Sequence, residues 1–516
     1  MSALPAERPT SRWSSWSDRL NPILVREVQQ AVKGRLFVLT VMLVLLVSVV
    51  IATGVVGDGG ASADAGRSVF DAGLTLLVPL LLFVVPMQAY QSMRLELRSG
   101  IVEQLLLSRL RPRAIVTGKL LAAMVQFLLY VSLLAPLLAT SYLLRGVDLP
   151  TIVVSLVFAL VFCVGATAAA ISAAAQGTLP ALQPVAQVVA AFGFGMLTFG
   201  LMGLVGSGEY ARDLGWLMRR AEFSMVMSGI VLGCGAGTAL SALTAQSFLL
   251  HAFENRATGF RVFLFAAPLV ALLWMWGFVD ARHWDDVVPG LVFAATLLGI
   301  VFGVFMWTEQ RELSPRVRAH VPRRAALAWL AAPFLPGRDR GVVCLLLYFL
   351  LLGGLGAACW PSSTYALFAP GVRITNFPLG VLRMSVFAAG YGVIYLSLGK
   401  WLRGRLPAAL VGNHLARFLL PLVLLAFLLV PMLIDVFTRG SVDGWHAGHA
   451  MNPFWTIERF AFHPDRGPML AVVLGVAGVC LTLQGRGLVA GLREVLAAAG
   501  LRRASPAGTT KAASDV

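Results

Sequence analysis

The sequence predicts an all-α, polytopic transmembrane bundle of about twelve spans, with both termini cytoplasmic and an interfacial helix ahead of the first span. Three observations predict it. The 516 residues are 58% apolar and only 13% charged, with a mean hydropathy of +0.80, whereas a soluble domain carries about 25% charged residues. About twelve apolar runs reach the roughly 20 residues a helix needs to cross hydrocarbon, where each backbone amide must be satisfied within its own segment. Finally, when the N-terminus and every second loop are assigned to the cytoplasm, roughly three quarters of the 41 Lys and Arg residues collect there, as the positive-inside rule requires.

The runs lie near 36–57, 72–92, 118–143, 151–175, 184–206, 223–249, 260–279, 288–307, 341–360, 379–399, 415–434 and 468–485. They divide the chain into a cytoplasmic N-terminus (1–35), a first six-span half (36–255), a second (256–485) and a cytoplasmic tail (486–516). The first run is too long for a signal-peptide core and lacks a clear cleavage site, so it reads as an uncleaved span. The tail, rich in Ala and Ser, reads as disordered. The net charge of +16 is a topology signal that favours anionic lipid headgroups, and no basic soluble surface is left for nucleic acid.

Chemistry is sparse inside the predicted spans. Asp71 and Asp435 fall at span ends, Arg383 lies about one turn from an outer end, and His251 falls at an inner boundary; anchoring is the reading for each. Gln88, Gln126, Gln187 and Gln246 suit hydrogen bonds between helices. Gly118-Lys119 is followed by Leu120 and Gly399-Lys400 by Trp401, so neither forms a phosphate-cradling loop. Nucleophile elbows, HExxH and metal-spaced clusters do not occur, and the five cysteines fall in apolar runs without paired spacing. The expectation is therefore no catalytic residue, no cofactor and no metal. His446 and His449, with His463 nearby, lack a clear third ligand and sit among aromatic residues suited to the interface. Gly229, Gly233 and Gly237 recur every four residues in the sixth span, a pattern expected to admit a neighbouring helix.

Two cytoplasmic elements stand out. From Asn21 to Phe37, Asn21 suits an N-cap and Pro22 the first helical position. Leu24, Val25, Val28, Ala31 and Val32 share one face while Arg26, Gln29, Gln30 and Lys33 occupy the other, the pattern of a helix lying flat in the membrane interface. After the second span, Gly100 precedes and Pro112 follows a helical stretch over 101–110. Ile101 and Leu105 lie on one side of it, and Glu103, Leu107 and Leu110 on another. Arg109, Arg111, Arg113 and Lys119 follow, suited to lipid headgroups or an acidic partner.

The conjunction of NPILVRE (Asn21, Pro22 through Glu27) before the first span with LRSGIVEQLLLSRLRPRAIVTGKLLAA after the second resembles the membrane subunits of type-2 ABC exporters. Those proteins carry an elbow helix, a Gly-x-x-Glu element in the first cytoplasmic loop, and a Gly-Lys entering the third span. Gly100 and Glu103 match the Gly and Glu, Leu105, Leu106 and Leu107 the leucines, and Gly118-Lys119 the Gly-Lys. The resemblance covers residues ~21–255. It implies that the helix bearing Ile101, Glu103, Leu107 and Leu110 docks on a separate ATP-binding subunit and passes that subunit's closure to the spans, in a bacterial inner membrane. The loop over 308–340 has no such counterpart. Either one chain forms both halves of a pseudo-dimer, or the second half is accessory to a permease that dimerises with itself or a second permease; the latter is favoured slightly. The competing readings are an ion-coupled secondary transporter and a non-transporting membrane scaffold or enzyme.

Overall fold

Apolar runs become helices wherever the computed structural model describes them: residues 21–57, 63–108, 110–176, 183–250, 254–280, 284–307, 309, 312–358, 377–405, 426–427, 429–438, 447–461 and 468–504. Among these residues all regular structure is helical. Nine helices among them are long and apolar enough to cross a membrane, as in a multi-pass membrane protein, against the twelve spans expected. The runs near 288–307 and 341–360 do form helices, but the one near 415–434 falls mostly outside the described residues. So do residues 1–20, Arg109, His251, Cys359, His446, His463 and the end of the tail.

The chain divides into two compact units, Met1–Leu250 and His251–Val516. In the first, α1 (Pro22–Lys33) leads through Gly34 into α2 (Arg35–Gly57). Helices α3 (Ala63–Pro79) and α4 (Val85–Arg98) are joined by a π-helical turn, Leu80–Val84, which falls between two prolines, Pro79 and Pro86. Each proline removes an amide donor, and the wider turn absorbs the mismatch. Together they make a 35-residue rod from Asp64 to Arg98. At 1.5 Å per residue it runs about 52 Å, well beyond a hydrocarbon core of about 30 Å, so the span expected at 72–92 is only its middle.

A single left-handed residue, Gly100 (φ +71°), turns the chain into α5 (Ile101–Leu107). There follow α6 (Pro112–Leu143), α7 (Leu149–Gln176), α8 (Gln183–Val205), α9 (Tyr210–Met218) and α10 (Phe223–Leu249). The unit has a core at each end. Near α9, Phe70, Leu77 and Leu81 pack with Tyr130, Leu134 and Val205. At the α5 end, Ile23, Tyr90, Met93, Val102, Ile115 and Leu249 form the other.

In the second unit, α11 (Thr258–Phe278) and α12 (Trp284–Trp307) precede α13 (Pro315–His320) and α14 (Ala325–Ala331). Then come α15 (Arg338–Ala358), α16 (Phe377–Arg405), α17 (Pro453–Ala461) and α18 (Pro468–Ala504). Within the inter-span loop expected over 308–340, residues 312–340 are folded: Leu313, Val317, Val321 and Ala328 bury against Val495 and Ala498 of α18. Arg261, 0% exposed, staples it by donating to the carbonyls of Pro333 (2.7 Å), Leu335 (2.5 Å) and Gly337 (3.2 Å) while pairing with Glu309 at 2.6 Å. Arg340 and Arg318 both meet Glu494 of α18, at 3.0 and 2.8 Å.

Several expectations are corrected. Gly233 and Gly237 are exposed, and a Cβ built on either meets nothing within 4 Å, so they seat no helix among the described residues. The closer approach on α10 is made by Thr238, which lies 3.3 Å from where a Cβ on Gly165 of α7 would stand. Asp71 (3% exposed), Arg383 and Asp435 are buried side chains rather than surface anchors. His449 pairs with Asp435 at 2.7 Å and stacks on Trp455.

Candidate coupling site

The N-terminal helix begins where its residues dictate. The Asn21 side chain accepts from the Ile23 amide at 3.1 Å, capping a donor that would otherwise be orphaned, and Pro22 has no amide to lose. The same Asn21 also reaches across, its Nδ2 donating to the Ala114 carbonyl at 2.7 Å in the first turn of α6. This contact needs Gly118. A Cβ there would lie 2.9 Å from the Ile23 Cβ and 3.0 Å from Asn21 Nδ2, closer than side-chain atoms approach, so only glycine lets α1 lie directly on α6.

One residue on, the Lys119 side chain points into the protein, not toward a partner: the residue is 2% exposed. Its Nζ lies 2.5 Å from Glu27 Oε1 of α1, 3.1 Å from Glu96 Oε2 of α4 and 2.7 Å from Ser92 Oγ, to which it donates. Ser92 in turn donates to Glu27 at 3.1 Å, and Arg26 forms an ion pair with Glu96. Two carboxylates thus face two cations. An ion so buried is tolerated only when charge is matched and the hydrogen-bonding positions are filled. The network ties α1, α4 and α6 together beside the base of α5.

Helix α5 is three residues shorter than the expected 101–110. Ser108 ends it, its hydroxyl bonding back to the Leu105 carbonyl at 2.7 Å, and Leu110 lies beyond the helix, half-buried, its amide on the Leu105 carbonyl. Two sides result. Val102 is buried, with Leu105 and Leu106 packed beside it against the core that holds Ile23, Met93 and Ile115. Glu103, Gln104 and Leu107 are exposed, Leu107 at 83%. Ile101 is intermediate, and Arg111 and Arg113 are exposed at the start of α6. Of the sequence-derived site, then, Glu103 and Leu107 stay outward, Leu105 and Leu106 turn inward, and Lys119 and Glu27 belong to the internal lock.

Sequence reasoning does not find Arg26, Ser92 and Glu96 as lock members. Ser92 and Glu96 are four apart and share a face of α4, a signal present in the sequence, but their partners lie in distant segments. Among the described residues no three His, Cys, Asp or Glu side chains gather as a metal site. Comparison with protein-family models, curated proteins and solved structures finds no match to this chain.

Proposed function

We propose that the chain is the membrane subunit of an ATP-driven ABC exporter, worked from the cytoplasm of a bacterial cell by a separate ATP-binding subunit that docks on α5. The observation that carries this reading is the two-sided character of that helix. A strongly exposed Leu107 one turn from exposed Glu103 offers an apolar contact and an anion to a partner. The opposite side is embedded in a core contributed by α1, α4, α6, α7 and α10. Load applied to the exposed side would reach all five helices, because a close-packed core transmits displacement rather than absorbing it. The chain itself needs no nucleotide site under this reading.

The test has two arms. In the Leu107→Cys variant, the introduced thiol should react with a membrane-impermeant maleimide in inside-out vesicles and not in intact cells. The complex purified from the native membrane should hydrolyse ATP in a vanadate-sensitive manner, and the Glu103→Ala/Leu107→Ala chain should lose the ATP-binding subunit. Labelling of the introduced thiol from outside, or full ATPase recovery with the double variant, would overturn the proposal.

Buried Asp71 favours an ion-coupled transporter as the second reading, since a carboxylate inside a spanning helix is costly and commonly functional. Transport abolished by an uncoupler and by Asp71→Asn, yet insensitive to ATP depletion, would promote it.

A further inference from the structure

A cavity of about 500 Å³ lies in the first unit between α3, α7, α8, α9 and α10. Its chemistry is sorted along the helices, and the exposed Ser207 and Asp213 make the end beside α9, opposite α5, its polar mouth. Ser155 near the start of α7, Ser207 just past α8, and Tyr210 and Asp213 of α9 line the mouth. Further along the same helices the walls are Leu77, Leu81, Leu82, Phe158 and Phe162. From Leu74 to Leu82 the wall runs about 12 Å along the helix axis. No lysine or arginine lines the space.

Water gains nothing in such an interior, because the deep walls offer it no polar partner. The size falls within the roughly 300–1,000 Å³ of ligand pockets. Two features place the mouth at the level of lipid headgroups. Helix α9 is amphipathic, burying Ala211 and Leu214 beneath it, and on its outer face Trp216 is exposed with the Arg220 guanidinium 3.4 Å from its ring centroid; Trp is the residue that membrane–water interfaces select. The mouth itself is rich in acceptors: the Asp213 carboxylate is joined by the Ser155 and Ser207 hydroxyls, and Ser155 already accepts from Tyr210 Oη at 3.2 Å.

We infer that this cavity binds one hydrocarbon chain of a membrane amphiphile whose head group donates hydrogen bonds, an amine or a hydroxyl, to the acceptors at the mouth. The inference does not rest on ATP coupling; it assigns what the first unit holds, however the chain is driven.

The test uses the purified full chain in nanodiscs, with no ATP-binding subunit added, doped with phosphatidylethanolamine carrying a diazirine in one acyl chain. After illumination, adducts should map to the segments around Leu81, Phe158 and Phe162. Ala159→Trp, which fills the cavity from its wall, should cut that yield at least five-fold. Leu204→Trp at the more exposed edge should do the same, and it guards against misfolding of the first variant. The equivalent phosphatidylcholine probe, whose head group has no donor, should label at least three-fold less. Adducts spread evenly over lipid-facing helices and insensitive to either tryptophan would overturn the site, and equal yields from the two probes would overturn the role given to its mouth.

Discussion

Lys119 and Glu27 meet at 2.5 Å across 92 residues of sequence, and their contact fixes the N-terminal helix to α6 immediately behind α5. The bond lies in a site where Lys119 is almost wholly removed from solvent, so its value is best judged by what remains when one partner is taken away. Lys119→Met leaves Glu27 and Glu96 facing each other without their shared cation, and should destabilise the protein by about 3–5 kcal/mol. Lys119→Met/Glu27→Gln keeps the Arg26–Glu96 pair and removes both members of the contact. It should lose clearly less than the two single changes summed. Thermal unfolding of the four proteins of this cycle in one detergent measures the difference; additivity would mean that the pair is not coupled.

Gly118 sets how closely α1 can lie. Gly118→Val places atoms where Ile23 and Asn21 now stand and should cost about 1–3 kcal/mol by overpacking. Amide hydrogen exchange should rise along α1 and stay unchanged in α8. Uniform exchange across the unit would show instead that α1 is held independently of this contact.

The exposed side of α5 should be nearly silent in stability. Glu103→Ala/Leu107→Ala removes two exposed side chains, so the unfolding free energy should move by no more than about 0.5 kcal/mol. Val102→Asp, on the buried side, should destabilise by several times that, on the order of 2–4 kcal/mol. A comparable loss from both would mean that the two faces are not distinct.

In the second unit, Arg261 holds the folded stretch that follows α12. Arg261→Met strips the donors from three backbone carbonyls and leaves Glu309 without its arginine, a cost of about 3–5 kcal/mol. Limited trypsin digestion should then cut at Arg316 to Arg324 well before any site in α15. An unchanged digestion pattern would show that packing on α18 suffices by itself.

Much of this is legible in the sequence, for reasons that can be traced to particular residues. Spanning runs are long enough to announce themselves, and Asn21-Pro22 marks a helix start by local chemistry alone. Gly100 likewise marks the one backbone position at that turn requiring a left-handed residue. Periodicity places the end of α5 too late because Leu107 and Leu110 extend the pattern, whereas the Ser108 hydroxyl competes for the backbone and closes the helix. Lys119 misleads because a basic residue near other basic residues suggests an outward face. Its partners, Glu27 and Glu96, come from segments that only the folded chain brings together. Gly233 and Gly237 of α10 mislead differently: spacing reports that a face is smooth, and says nothing about whether a neighbour rests on it. The folded stretch after α12 escapes notice because Arg261 and Arg340 look, one at a time, like ordinary positive-inside charges.

The wide turn between Pro79 and Pro86 joins these observations. Leu81 and Leu82 sit in that turn and also form part of the apolar chamber, while the same rod ends at Arg98, two residues before the Gly100 turn that leads into α5. A drive shaft wound with one looser coil gives way there before it gives way elsewhere. Torque entering through α5, were the proposed subunit to dock there, would meet in that coil the side chains that would grip a lipid tail.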